Sequence, residues 1–139
     1  MPSLSYKGRF VEYVEAGLQT PPPYGKRIKL QTIRNFRKHP IKPGDTLYHF
    51  YGMRTKWCRK LGESICKSSQ VIRISRNEVT VYDRLDNGRL KFNRAYKGKR
   101  ALDLFAIRDG FSEWREMRMW WVSTHGAKCF PFKGTLIKW

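Results

Sequence analysis

Apolar residues along this chain fall into short runs with two different periods. From Arg9 to Leu18, the residues Phe10, Val11, Val14 and Leu18 recur at helical spacing, and Gly17 supplies a C-terminal stop. Pro21, Pro22 and Pro23 neither continue a helix nor pair inside a sheet, so 20–25 reads as an extended loop. A stiff connector is the plain reading of that loop, and a polyproline recognition segment is the other. Ile28, Leu30 and Thr32 then alternate with Lys29, Gln31 and Ile33 in a strand-like pattern. Pro43-Gly44-Asp45 marks a turn, and Thr46–Tyr51 is β-rich and alternating. Residues 52–62 read as a basic loop between two strands. Further strands are expected near 64–75 and 78–83. Asp86-Asn87-Gly88 predicts a hairpin joining Val79–Leu85 to Arg89–Phe92.

Beyond the apolar stretch Leu102–Ile107, the pattern turns helical again. Ser112 reads as an N-cap, with Glu113 and Glu116 in the first turn where the helix dipole favours anions. Trp114, Met117 and Trp121 share one face with Trp120 beside them, and Gly126 ends the helix. Stacking on RNA bases is one use for such tryptophans, but their helical spacing argues for core. Thr135–Trp139 reads as a last strand. There is no internal repeat and no second core, so one domain over 1–139 is expected. Many short strands with two or three flanking helices predict an α+β fold built on a partly open β-barrel.

Charge changes this picture. The chain carries 29 Lys and Arg against 11 Asp and Glu, a net charge of +18. That density strains a compact state, and a polyanion relieves it with counterion release, so nucleic acid leads the partner classes. An anionic membrane surface ranks lower, because no segment joins a long apolar run to a basic face. No apolar run approaches the length of a membrane span. The segment Met1–Lys7 lacks a signal-peptide core. Cys58, Cys66 and Cys129 are odd in number and loosely spaced, which favours free thiols in a reducing cytoplasm over disulfides. Those cysteines and the scattered His39, His49 and His125 lack the paired spacing of a zinc site. No metal, cofactor or second copy of the chain is expected. Arg34, Arg37, Lys38, Arg54, Lys56, Arg59 and Lys60 interleave with Phe36, Tyr51 and Trp57. Cations for phosphates beside flat rings for unstacked bases is the composition of a nucleic-acid surface.

Four short motifs, in order, resemble the ASCH family, a branch of the PUA-like fold. They are Ala16-Gly17-Leu18, then Lys29-Leu30-Gln31-Thr32-Ile33-Arg34, then Pro43-Gly44-Asp45, then Asp109-Gly110-Phe111-Ser112. Gly52-Met-Arg-Thr-Lys56 and Gly134-Thr-Leu-Ile-Lys-Trp139 are similar to small ASCH proteins of bacteriophages, which implies a bacterial or phage-infected cell. Most ASCH proteins place the lysine directly after the helix glycine; here the proline-rich segment intervenes. The resemblance implies a PUA-like barrel and a nucleotide cleft around Lys29, Thr32, Arg34 and Asp109. It also implies catalytic candidates. Small bacterial ASCH hydrolases that deacetylate N4-acetylcytidine use a Lys, a Thr and a Glu in this order; here Lys29 and Thr32 match, and Asp109 stands for the Glu. Three functions therefore stay open. The first is a binder of RNA, preferred by analogy over DNA, that uses Lys29, Arg34, Arg37, Lys38, Arg54, Lys56, Trp57, Arg59 and Lys60. The second is a modified-cytidine amidohydrolase or metal-independent ribonuclease. The third is a regulator that binds an acidic protein.

Overall fold

A computed structural model describes residues 2–139. The class is α+β, with eight strands in two sheets and three α-helices, and the described residues form no closed barrel. The strands are β1 (Ser3–Tyr6), β2 (Gln31–Arg34), β3 (Thr46–Tyr51), β4 (Arg59–Ile65), β5 (Ser68–Ile74), β6 (Glu78–Arg84), β7 (Leu90–Lys97) and β8 (Phe132–Lys138). The helices are α1 (Val11–Leu18), α2 (Lys99–Arg108) and α3 (Trp114–His125). One sheet has the order β1-β3-β4 and the other β2-β8-β5-β6-β7. No helix among the described residues is long and apolar enough to cross a membrane.

A single apolar cluster joins both sheets. Leu4 of β1 and Leu47 of β3 meet Ile72 and Ile74 of β5, Val79 of β6 and Leu136 of β8, with Phe105 of α2 and Met117 of α3 closing it. Burying each such side chain contributes about 1.5–3 kcal/mol, so this shared core holds the two sheets together.

Several elements depart from the sequence pattern. Ser3–Tyr6 is a strand, pairing parallel to β3, with Leu4 and Tyr6 facing the core. Arg59 and Lys60 lie in β4 rather than in a loop, because they pair with Tyr51 and Phe50 of β3. The basic loop is thus only 52–58. The expected strand over 64–75 is split at Cys66-Lys67, where the chain leaves one sheet for the other. There the amide of Cys66 donates to the Asp45 carbonyl and that of Lys67 to the Lys138 carbonyl. Leu102–Ile107 belongs to α2. The cap of α3 is Glu113, not Ser112. Its first amide is satisfied from outside, as Trp114 N–H donates to Asp103 Oδ1 of α2 at 2.9 Å. Ser112 instead donates its hydroxyl to Glu116 at 2.6 Å.

Lys29 and Leu30 are held on all sides. Lys29 N–H donates to the Tyr13 carbonyl of α1, Leu30 N–H to the Arg108 carbonyl of α2, and Trp139 N–H to the Leu30 carbonyl. Lys29 also forms an antiparallel bridge with Asp109. Gly17 permits this packing. A Cβ there would lie 2.2 Å from the Lys29 carbonyl oxygen, so only hydrogen fits. The helix glycine and the lysine thus meet in space despite the proline-rich segment between them.

Gly17→Ala should destabilise the domain. Alanine favours a helix by about 1 kcal/mol, but the backbone overlap is of the overpacking kind that costs about 1–3 kcal/mol or more. A lowered urea midpoint checks it, and an unchanged midpoint contradicts the packing.

His49 is fully buried, with Nδ1 2.8 Å from the Tyr6 hydroxyl and Nε2 2.7 Å from Ser64 Oγ. Burial holds the Tyr6 phenol protonated, well above its ordinary range. The consistent tautomer has Tyr6 donating to Nδ1 and Nε2–H donating to Ser64. Burial, aided by Arg34, lowers His49 to about 4. The unfolded chain therefore binds the extra proton first, and stability falls as pH drops from about 6.5 towards 4. Between pH 7 and 4.5 the wild type should lose about 2–3 kcal/mol more than His49→Gln. Denaturant titrations at the two pH values read this, and parallel losses would refute it.

Candidate functional site

A cleft of about 380 Å³ opens where β1, β2, α3 and the Lys29–Asp109 bridge converge. Its walls include Tyr6, Phe10, Trp120, Trp121, His125 and Phe132, and its polar groups include Lys29, Thr32, Arg34 and Asp109. Volume and apolar lining both suit a small organic ligand or one nucleoside. Short-range geometry explains each position. Thr32 and Arg34 lie on β2, in register with Ile137 and Thr135 of β8. Asp109 caps the C-terminus of α2, and Gly110 follows with φ +92°, a left-handed turn that reverses the chain. Gly110 also keeps clear of the Lys29 stem, since a Cβ there would approach Lys29 Cβ to 3.3 Å.

Lys29 and Asp109 form the polar floor. Both side chains are almost wholly buried, at 4% and 6% exposure. Lys29 Nζ donates to the Asp109 carbonyl oxygen at 2.8 Å and lies 3.3 Å from Asp109 Oδ2. It also sits 4.7 Å from the centre of the Phe10 ring. Burial lowers the proton affinity of Lys29 against the pull of Asp109. Burial raises that of Asp109 against the pull of Lys29. The ion pair and the neutral pair each hold one proton, and burial disfavours only the ion pair. The gap between the two forms is therefore narrowed.

Arg34 forms a second polar edge. Its Nη2 donates to the Ser5 carbonyl at 2.7 Å, and its guanidinium lies 5.1 Å from the centre of the Tyr6 ring. Arg34 Nε, Asp109 Oδ1 and Trp121 Nε1 are buried without a hydrogen-bond partner in the protein, as are the Gln31 amide next to the Asp109 carboxylate, Gln70 Oε1 and Trp139 Nε1. Buried polar groups are nearly always satisfied, and three residues of the cleft lining each carry one that is not.

The sequence-derived residues divide here. Lys29, Thr32, Arg34 and Asp109 come together at the cleft, whereas Arg37, Lys38, Arg54, Lys56, Trp57, Arg59 and Lys60 lie outside its lining. The 52–58 loop nevertheless adjoins the β1 wall, because Tyr6 pairs with Tyr51 and the Met53 amide donates to Ser5 Oγ at 3.3 Å. In that loop Trp57 is 66% exposed, with the Lys56 ammonium 4.8 Å from its ring centre. Arg59 and Lys60 are engaged on the surface, with Glu15 at 3.0 Å and Glu63 at 3.1 Å. Arg37 and Lys38 are exposed beyond the end of β2. Sequence reasoning missed Tyr6, Phe10, Trp120, Trp121 and His125 as cleft residues. The alternation Ser3-Leu-Ser-Tyr6 was the available signal for β1. For α3, the core face continues into the cleft wall: Trp114 and Trp121 are buried, and Trp120 and Trp121 both line the cavity. No protein-family model, no curated protein and no solved structure matches the chain.

Removing one partner of the floor should cost more than removing both. Lys29→Ala leaves a buried carboxylate and should destabilise by about 3–5 kcal/mol, whereas Lys29→Met with Asp109→Leu should recover most of that loss. Chemical denaturation of the single and double variants checks it. A double variant no more stable than the single one would contradict the pairing.

Proposed function

We propose that this chain is a nucleic-acid-binding domain of the ASCH type, on a PUA-like, partly open barrel, and that its cleft receives one unpaired nucleotide. One observation carries the reading: the 380 Å³ aromatic cleft with Arg34 Nε, Asp109 Oδ1 and Trp121 Nε1 left orphaned around it. A nucleobase is flat, so it suits walls made by Phe10, Tyr6 and Trp120. Its edge carries both acceptors and donors, which complement two N–H groups and a carboxyl oxygen. The net charge of +18 and the exposed Arg37, Lys38, Arg54 and Lys56 supply the phosphate attraction that a free nucleoside would not need. The single core shared by two sheets supports the barrel reading.

A hydrolase is the second reading, and the state of Lys29 favours it. A lysine of lowered proton affinity lines the same cleft as Thr32, and in this reading it would take the Thr32 hydroxyl proton. Thr32 Oγ would then attack the acetyl carbonyl of an N4-acetylated cytidine, and the C–N bond would break as Lys29 returns the proton to the departing N4 amine. Water would release acetate from Thr32 in a second step. Asp109 would hold Lys29 in place and share its proton.

Both readings meet in one set of measurements. Labelled single-stranded RNA and DNA, followed by anisotropy, should bind with affinity falling by ~10³ between 50 and 200 mM salt if about six phosphates are contacted. Arg34→Gln should weaken binding by about 1–3 kcal/mol with the salt slope kept, and Arg54→Ala with Lys56→Ala should flatten the slope by about 2 units. A flat salt response in the wild type would overturn the binding function. Acetate release from N4-acetylcytidine that disappears in a folded Thr32→Val variant would establish the hydrolase, and absent turnover in the wild type would dismiss it.

A further inference from the structure

The hairpin of β6 and β7 leaves the body of the domain as a free ribbon. Every residue from Arg84 to Arg94 is exposed, on both strands and at the turn. β7 is the outer strand of the five-stranded sheet, at the edge opposite β2 and the cleft. The ribbon carries Arg84, Arg89, Lys91 and Arg94 against two carboxylates, Asp86 at the tip and Asp83, which stands across the strands from Lys91. None of these four cations makes an ion pair among the described residues, although Lys97 pairs with Glu78 at the base of the same hairpin and six ion pairs form elsewhere. Apolar groups stand between them: Phe92 is 59% exposed, beside exposed Leu90 and Leu85. The ribbon is also stiffened. Phe92 pairs with Tyr82 across the strands, their ring centres 6.4 Å apart. Asn93, at the bulge, donates to Asp83 at 2.8 Å, and Gln70 of β5 donates to the same carboxylate at 2.9 Å.

Hydration carries the cost of these cations, but positive charge that no salt bridge neutralises, with apolar groups set between, is the composition of a surface that meets a polyanion. We infer that the β6–β7 ribbon is a second nucleic-acid contact, separate from the cleft, and that its occupant is the major groove of double-stranded DNA. A two-stranded ribbon fits that groove, which is about 12 Å wide, with the cations reaching phosphates and the apolar residues meeting base edges. A-form RNA buries its major groove too deeply for such an element. Two other occupants fit less well. A second copy adding to the β7 edge would set Lys91 and Arg94 against like charges, the means by which edges are protected from pairing. A membrane would take an apolar tip, whereas the tip here is Asp86-Asn87-Gly88 and the apolar residues sit on the strands.

The test uses the full chain with Arg89→Ala, Lys91→Ala and Arg94→Ala combined, and separately Phe92→Ser. Labelled 20-base-pair DNA, 20-base-pair RNA and single-stranded DNA are titrated by anisotropy. The triple variant should bind duplex DNA at least ~10-fold more weakly, with the salt slope reduced by about 2–3 units. Phe92→Ser should weaken duplex DNA binding with the slope kept. Single-strand binding should survive in both variants, and duplex RNA should bind more weakly than duplex DNA in the wild type. These residues are exposed, so an unchanged melting temperature is expected and confirms that the variants are folded. Unchanged duplex affinity in the triple variant overturns the inference, as does duplex RNA bound as well as DNA. So does a wild-type dimer in sedimentation, or binding to phosphatidylserine vesicles, that the variants abolish while duplex binding stays intact. Failure of the cleft reading appears elsewhere, as single-strand binding indifferent to Arg34→Gln.

Discussion

The antiparallel bridge between Lys29 and Asp109 joins residues 80 apart in sequence and sets the polar floor of the cleft. Its closure needs α1 and the Lys29 backbone to touch, which the bare Cα of Gly17 allows. It also needs α2 to end at the right height, which the Asp109-Gly110 reversal supplies. Once closed, the bridge sets the lysine ammonium over the Phe10 ring and sends β2 towards β8. Thr32 and Arg34 reach the cleft through that strand.

Charge is handled in opposite ways inside and outside this molecule. Inside, one cation is removed from water and made tolerable by a carboxylate, a carbonyl and an aromatic face. Outside, cations stand unpaired along the β6–β7 ribbon and at Arg37, Lys38 and Arg54, where hydration carries their cost. Surface pairs such as Arg9 with Glu116 at 3.1 Å contribute at most about 1 kcal/mol each and are weakened by salt. They leave the excess of positive charge nearly untouched.

Elements with a strong local code were legible in the sequence. Helical spacing located α1 and α3, the Asp-Asn-Gly turn located β6 and β7, and alternation located β3. The elements that failed depend on distant partners. β1 has only Leu4 and Tyr6 to mark it and exists because β3 accepts it as a parallel neighbour. The switch at Cys66-Lys67 lies inside a stretch that looks like one strand, and only the competing partners Asp45 and Lys138 divide it. The N-cap at Ser112 was a sound local reading overridden by Asp103 from another helix. The polar cleft residues were legible through the resemblance, whereas the aromatic walls were not, since a tryptophan facing a cavity and one facing the core share the same periodicity.

The Asp103 carboxylate has one further consequence. One of its oxygens receives the Trp114 amide and the other the Lys99 ammonium, at 2.9 and 2.7 Å. Trp114 in turn donates its indole N–H to the Arg76 carbonyl between β5 and β6, at 3.1 Å. α3 therefore cannot slide along α2 without exposing its first turn and releasing the loop beneath it. The two helices and the root of the ribbon are thus tied through one carboxylate and one indole, whereas at the opposite lip the 52–58 loop reaches β1 through the Met53–Ser5 hydrogen bond.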